Sequence, residues 1–133
     1  MIRYAVLMVE DQFLEADILA GGLTMAGYDV TTAYNGSKAL NQLYGPGAHF
    51  DAIVTDINLG KGPDGWDVSR HARARFPGIP VVYATGESAA LWRAEGVPGS
   101  LFVGKPFKSS EVAVAVSCLL NTIDWIGRDP LAA

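Results

Sequence analysis

Charged side chains that could bind a metal ion or a phosphoryl group follow short apolar runs at three places in the chain. Glu10 and Asp11 follow the run AVLMV, Asp56 follows AIVT, and Lys105 comes shortly after a run that ends at Val103. Two unit charges about 4 Å apart repel by roughly 4 kcal/mol at a surface-like dielectric. Three clustered carboxylates therefore favour a divalent cation, and hard oxygen ligands suit Mg²⁺. Together with Lys105, one Mg²⁺ would neutralise them.

These residues can meet only if the apolar runs are neighbouring strands of one sheet. Five apolar runs alternate strictly with five segments of helical spacing, and three of the runs are almost continuously apolar, as in parallel strands covered on both faces. The predicted strands are Ala5–Val9, Tyr28–Thr32, Ala52–Thr55, Pro80–Ala84 and Ser100–Val103. The first predicted helix carries an apolar stripe of Leu14, Ile18, Leu19 and Leu23. The other predicted helices are Gly36–Leu43, Trp66–Phe76, Glu87–Glu95 and Ser109–Ile123. Strict alternation predicts a doubly wound α/β three-layer sandwich with a parallel sheet.

Ligands of such sheets bind at the carboxyl ends of the strands. The fourth run contributes Thr85 to that edge, so a hydroxyl and an ammonium group join the three carboxylates. A single acidic strand end would be read as an ordinary solvated loop acid. The joint pattern, with a polar residue after four of the five runs, favours a binding or phosphoryl-transfer site instead.

Four short motifs occur in order and at suitable spacing: the acidic pair, VTDIN, YATGE and GKPF. With them the sequence resembles the response regulator receiver domains of two-component signalling, from Tyr4 to about Ile123. The resemblance implies a flavodoxin-like (βα)5 fold with strand order 2-1-3-4-5. The loop LGKGPDGW and the segment YATGE also resemble an alphaproteobacterial branch, including single-domain receivers, marked by Phe-Ala-Thr-Gly-Tyr. Glu87 stands where that motif ends in tyrosine.

The resemblance implies a role for each residue around the phosphorylation site. Asp56 would be the phosphoacceptor, which attacks the phosphorus of a phosphohistidine to form an acyl phosphate. Asp11 and Asp56 would hold Mg²⁺ together with the backbone carbonyl of Asn58. Glu10 occupies the other acidic position, where aspartate is commoner, and would bind the metal directly or through water.

The remaining roles implied by the resemblance concern phosphoryl contacts and signal output. Thr85 would hydrogen-bond a phosphoryl oxygen, and Lys105 would pair with the phosphoryl group and precede a cis proline bond. Phe102 would be the switch aromatic that turns inward with Thr85, although it is equally consistent with a plain core residue. Asn58 and Glu87 flank the phosphoryl position and would influence how fast the phosphoryl group is lost.

The expected partners are those of a signalling protein rather than those of an enzyme with a turned-over substrate. We expect a histidine kinase or a histidine phosphotransfer protein as donor, and a downstream protein target of the fourth helix, fifth strand and fifth helix, with a possible homodimer through that face. Ten basic and fourteen acidic side chains give a net charge of −4, which does not favour nucleic-acid binding. No sequence segment predicts a membrane span or a secretion signal, so the expected location is cytoplasmic.

The expected organisation is a receiver domain over residues 1–124, followed by a short tail over residues 125–133 and no effector domain. Cys118 is predicted to be a buried thiol, because it lies among apolar residues of the last helix. Trp92 on the fourth helix suggests a partner or dimer contact.

Three other functions compete with the receiver interpretation. Gly60, Gly62 and Gly65 fit G-x-G-x-x-G, the signature of a dinucleotide-binding oxidoreductase, but nearby Asp56 and Asp64 would repel a pyrophosphate. A magnesium-dependent aspartyl phosphohydrolase would need a second acid two residues after its nucleophile, where this chain has an asparagine. A degenerate receiver that acts only as an adaptor would not need an intact phosphorylation site.

Overall fold

The computed structural model describes the backbone of residues 3–128 and the side chains of residues 3–122. Strands and helices alternate along this part of the chain, as the sequence predicts. The strands are β1 (Ala5–Val9), β2 (Asp29–Ala33), β3 (Ala52–Thr55), β4 (Val81–Thr85) and β5 (Leu101–Gly104). The helices are α1 (Phe13–Met25), α2 (Gly36–Tyr44), α3 (Gly65–Arg75), α4 (Ala89–Glu95) and α5 (Ser109–Arg128).

All strand pairs are parallel, and the sheet order is β2-β1-β3-β4-β5. This confirms the predicted doubly wound topology. Val9 pairs with Thr55 across β1 and β3, so the residues that follow these two strands leave the sheet at the same level. The carboxyl edge of the sheet is therefore the place where Glu10 and Asp56 meet.

The sheet divides the core into two layers, because successive strand residues point to opposite faces. Leu7, Val9 and Ile53 face the layer that contains α2 and α3. Val6, Met8 and Val54 face the layer that contains α1 and α5. All six are almost completely buried, which fixes the central strands and the residues at their ends.

The predicted element boundaries shift by one or two residues at several ends. Strands β2, β4 and β5 each begin one residue later than predicted and end one residue later. Helix α4 begins at Ala89 rather than Glu87, because the Ser88 hydroxyl accepts a hydrogen bond from the Leu91 N–H and caps the helix. Helix α5 continues to Arg128, past the predicted end at Ile123.

The apolar stripe predicted for α1 is only half correct. Leu19 and Leu23 are buried in the core, but Leu14 is 73% exposed and Ile18 is 59% exposed. Cys118 is also exposed, so the prediction of a buried thiol was wrong. Within residues 3–128, no helix combines the length and the apolar character that a membrane crossing requires.

Candidate functional site

Asp56 is held rigidly at the end of the buried strand β3. Its backbone N–H donates to the Val9 carbonyl at 3.0 Å, and its backbone carbonyl accepts from the Thr55 hydroxyl at 2.7 Å. One carboxylate oxygen accepts from the Ile57 N–H at 2.7 Å. The residue is only 8% exposed, so a single direction, outward from the sheet edge, is left for its second carboxylate oxygen.

The glycine-rich loop after Asp56 is accounted for by backbone geometry. Gly60 and Gly62 have φ values of 77° and 88°, which favour glycine. A Cβ at Gly65 would lie 2.1 Å from the Asp56 carbonyl oxygen, so only glycine allows α3 to begin this close to β3. Asp64 caps α3 by accepting from the Asp67 N–H at 2.9 Å. A carboxylate therefore occupies the helix end at which a dinucleotide would place its pyrophosphate.

Glu10, Asp11 and Asp56 form an acidic cluster at the carboxyl edge of the sheet. Carboxylate oxygens of the three residues lie within 4.8 Å of one another. Glu10 is 3% exposed, and its Oε2 accepts from the Asp11 N–H at 2.9 Å. Three hard oxygen donors at this spacing fit Mg²⁺, which binds through a few carboxylates and keeps several water ligands.

The ammonium group of Lys105 joins the cluster through three carboxylates. Its Nζ donates to Glu10 Oε1 at 3.2 Å, to Glu15 Oε2 at 2.8 Å and to Asp56 Oδ2 at 2.9 Å. The backbone N–H of Lys105 donates to the Thr85 carbonyl at 2.8 Å, which fixes the residue beside β4. The Lys105–Pro106 peptide bond is cis, as the family resemblance implies.

The concentration of charge shifts the pKa values of the groups in this cluster. Burial, a hydrogen bond with Glu15 and the charge of Asp56 together raise the pKa of Glu10 to about 8, against the opposing effect of Lys105. Burial alone would lower the pKa of Lys105, but hydrogen bonds to Glu15 and Asp56 raise it above its usual range. The hydrogen bond to Lys105 lowers the pKa of the Glu15 carboxyl.

Glu15 is the one residue of this cluster that sequence analysis missed. It lies in the first turn of α1, and its carboxylate makes the shortest of the three contacts with Lys105. The sequence predicted that Mg²⁺ and Lys105 would neutralise three carboxylates, those of Glu10, Asp11 and Asp56. Glu15 adds a fourth carboxylate, which could have been suspected because α1 starts directly after the acidic pair, at the same edge of the sheet.

Thr85, Glu87 and Asn58 lie at the same edge, on the segments that follow β4 and β3. Thr85 is 1% exposed, and its hydroxyl oxygen accepts from the Glu87 N–H at 3.2 Å. Asn58 is exposed, and its side-chain oxygen accepts from the Gly60 N–H at 3.4 Å. The roles of these three residues in phosphoryl binding, metal binding and phosphoryl loss remain predictions.

Phe102, the predicted switch residue, is half-buried in β5 and stacks on Trp92 of α4. The two ring centroids lie 5.7 Å apart, with an angle of 27° between the ring planes. The Trp92 indole N–H also donates to the Ser100 hydroxyl at 3.0 Å. Trp92 therefore attaches α4 to β5, a role that the sequence-based suggestion of a partner contact did not include.

The strand order and the acidic cluster at the carboxyl edge of the sheet are those of a receiver domain of two-component signalling. The family model described as response regulator receiver domain matches residues 6–117, and this chain belongs to that family. The crystal structure of a response regulator receiver protein from Sinorhizobium medicae WSM419 is 40% identical, covers 90% of this chain and 95% of its own, and superposes with a TM-score of 0.85. The predicted family and fold are thereby confirmed.

Two further comparisons give the range of relatives. The receiver domain of the sensor histidine kinase PA1611 from Pseudomonas aeruginosa PAO1 shares the fold, with a TM-score of 0.76 at 24% identity. The match covers 90% of this chain and 99% of that one. That structure has a magnesium ion coordinated in its active site cleft. The probable transcriptional regulatory protein TcrX from Mycobacterium tuberculosis is 34% identical over 120 residues, 87% of this chain and 49% of its own. The chain spans about half the length of the curated relatives it matches.

Proposed function

We propose that the receiver domain, residues 1–124, accepts a phosphoryl group on Asp56 from the phosphohistidine of a histidine kinase or a phosphotransfer protein. The observation that carries this proposal is the contact between Lys105 Nζ and Asp56 Oδ2 at 2.9 Å, within a cluster of carboxylates spaced for Mg²⁺. A nucleophilic carboxylate, an adjacent ammonium group and a divalent-cation site are the parts that phosphoryl transfer requires.

The transfer step forms one bond and breaks one bond. A carboxylate oxygen of Asp56 attacks the phosphorus of the donor, and the phosphorus–nitrogen bond to the imidazole breaks. The imidazole nitrogen keeps the electron pair and is protonated, and Asp56 becomes an acyl phosphate. The protein contributes position and charge rather than covalent chemistry, because Asp56 is held by backbone hydrogen bonds and Lys105 lies beside the oxygen that faces outward.

Glu10, Asp11 and Asp56 would hold the magnesium ion, with the backbone carbonyl of Asn58 as a further ligand. When bound, Mg²⁺ would neutralise the negative charge that accumulates on the phosphoryl oxygens. The Thr85 hydroxyl oxygen accepts from the Glu87 N–H, and its proton would be donated to a phosphoryl oxygen. This new hydrogen bond would draw Thr85 toward the phosphoryl group and begin the conformational response.

The response would pass to a protein partner through α4, β5 and α5, which could also serve as a homodimer surface. Thr85 ends β4, and Phe102 on the neighbouring strand β5 stacks on Trp92 of α4. A displacement of Thr85 would therefore change the packing of Phe102 on Trp92, the contact that attaches α4 to β5. The regulatory names of the curated relatives concern proteins about twice this length, so this output rests on the chain's own residues.

The donor protein would approach over the first turns of α1. Phe13 is 69% exposed, Leu14 is 73% exposed and Ile18 is 59% exposed, so this helix presents apolar side chains to solvent, and the Phe13 ring also packs edge-to-face on Tyr34. Glu15, on the same turns, reaches Lys105 of the site. An apolar surface that borders the phosphoacceptor suits a partner whose histidine must be brought close to Asp56.

Incubation with acetyl phosphate and Mg²⁺, followed by intact-mass measurement, tests the proposal. We expect one phosphoryl adduct on the wild-type chain and none on Asp56→Asn or after removal of Mg²⁺ by a chelator. Asp51→Asn is the matched control, because Asp51 precedes β3 at the opposite edge of the sheet and should not affect labelling. If the wild-type chain stays unlabelled while another receiver domain is labelled, the adaptor function replaces the phosphoacceptor function.

A further inference from the structure

The Lys105 ammonium group has as many carboxylate partners as it has protons. An ammonium group donates at most three hydrogen bonds, and here the three acceptors are Glu10, Glu15 and Asp56. While a phosphoryl group enters the site, before its bond to Asp56 forms, Lys105 must contact a phosphoryl oxygen in order to act on the group. Since no donor is spare, Lys105 has to give up one of its present partners.

The three partners differ sharply in how easily they can be released. The side chains of Glu10 and Asp56 are only 4% and 9% exposed, whereas that of Glu15 is 51% exposed. A buried carboxyl group, ionised or protonated, that loses its hydrogen-bond donor is left without solvent or another partner, and this is costly. Water can replace the cation at an exposed carboxylate, so the Glu15 contact is the one that breaks at least cost.

We propose that Glu15 is a positioning residue that restrains Lys105 before phosphorylation and is exchanged for a phosphoryl oxygen when the group arrives. This inference rests on the proposed function of Asp56. Glu15 does not touch the phosphorus in this scheme; it acts through the position of the Lys105 ammonium group. Because of this contact, a phosphoryl group enters the site more slowly than it would if Glu15 did not hold Lys105.

Two substitutions distinguish the effect of the Glu15–Lys105 contact from the effect of a negative charge at position 15. Glu15→Ala removes both the contact and the charge. Glu15→Asp keeps the charge, but its side chain is one methylene shorter and cannot maintain the 2.8 Å contact from the same backbone position. Asp17→Ala is the matched control, because Asp17 is an exposed acid in α1 two residues further on, on a different side of the helix.

The first measurement is the rate of labelling by acetyl phosphate at saturating Mg²⁺. We expect Glu15→Ala and Glu15→Asp to be labelled faster than the wild-type chain, by about 3-fold to 10-fold for Glu15→Ala, and Asp17→Ala to be labelled at the wild-type rate. Equal rates in all four proteins would overturn the restraint while leaving Asp56 as phosphoacceptor. Faster labelling of both alanine variants but not of Glu15→Asp would also overturn it, in favour of a general charge effect.

The second measurement needs no phosphorylation. In protein labelled with ¹⁵N-lysine, NMR reports the exchange of the Lys105 ammonium protons with water, and this exchange is slow while carboxylates accept all three protons. We expect faster exchange in Glu15→Ala and Glu15→Asp but not in Asp17→Ala. Unchanged exchange in both Glu15 variants would overturn the restraint. If no protein is labelled although the NMR contrast is seen, the proposed function of Asp56 fails while the contact itself stands.

Discussion

The indole N–H of Trp92 donates a hydrogen bond to the Ser100 hydroxyl at 3.0 Å, joining α4 to the residue that precedes β5. Ser100 is 7% exposed, and its hydroxyl donates a hydrogen bond to the Val97 carbonyl at 2.7 Å. Helix α4 buries none of its own residues fully. This hydrogen bond, with the stacking on Phe102, is therefore a main attachment between α4 and the rest of the protein.

Trp92→Phe should loosen α4 without unfolding the domain. The substitution keeps an aromatic ring against Phe102 but removes the indole donor, which is worth about 0.5–1.5 kcal/mol of unfolding free energy. Hydrogen exchange of the α4 amides should be faster, with little change in the exchange of β1 and β3. Arg93→Ala, an exposed substitution in the same helix, is the control. Equal protection of α4 in both variants would contradict this attachment.

The raised pKa of Glu10 predicts how stability depends on pH in the absence of metal. The folded protein keeps the Glu10 proton up to about pH 8, whereas the unfolded chain releases it near the ordinary glutamate value of 4.5. Below that value both states are protonated and the contribution to stability is complete. Between the two values the unfolding free energy falls as pH rises, by at most about 1.4 kcal/mol per pH unit.

Urea unfolding in the presence of a chelator, at several pH values across this range, measures that slope. Glu10→Gln carries no titratable proton, so its unfolding free energy should depend less on pH than that of the wild-type chain. The difference between the two proteins isolates Glu10 from the other titrating groups. Parallel curves would mean that Glu10 is ionised in the folded protein at neutral pH.

Gly65→Ala should be strongly destabilising because its methyl group would overlap the Asp56 carbonyl oxygen, 2.1 Å away. Relief requires movement of backbone, so we expect a loss of about 2 kcal/mol or more of unfolding free energy. Gly21→Ala is the matched control: Gly21 lies inside α1 with nothing within 4 Å of the added methyl group, and alanine is the better helix former. A loss of less than about 0.5 kcal/mol at Gly65 would show that α3 can move away at little cost.

Leu14→Ala should slow phosphoryl transfer from a protein donor but not from a small one. Leu14 is 73% exposed beside the site, and truncation of a residue that carries binding energy at an interface costs more than about 1 kcal/mol, or more than roughly 5-fold in affinity. The comparison is between labelling by a histidine kinase active on the wild-type chain and labelling by acetyl phosphate. Leu91→Ala, at an exposed leucine of α4, is the control. Equal slowing with both donors would place the defect in the site itself.

The central part of the site could be predicted from sequence because it depends on strands. Asp56 and Lys105 each follow an apolar run, and the parallel alternation of strands and helices brings such positions to one edge. The register of a buried strand fixes where its end lies to within one residue. The meeting of Asp56 with Lys105 therefore needs only the strand order and the identity of the residues that follow.

The missed features depend on how helices are rotated and tilted against the sheet. Glu15 reaches Lys105 because of the angle at which α1 leaves the acidic pair, which apolar spacing does not specify. The same rotation exposes Leu14 and Ile18, although their spacing with Leu19 and Leu23 is that of a buried stripe. Trp92 lies on a helix of seven residues, too short for apolar periodicity to distinguish its inner side from its outer side.

Two arginines of α3 attach the carboxyl end of α4 and the loop that follows it. The guanidinium group of Arg73 donates to the Ile79 carbonyl and to the Pro98 carbonyl, each at 2.7 Å, and these residues precede β4 and β5 at the edge of the sheet farthest from Asp56. Arg70 holds the last residue of α4 through Glu95 at 2.7 Å. The carboxyl end of α4 and the loop after it are therefore held to α3, so the proposed phosphorylation of Asp56 should move the amino end of α4 more than its carboxyl end.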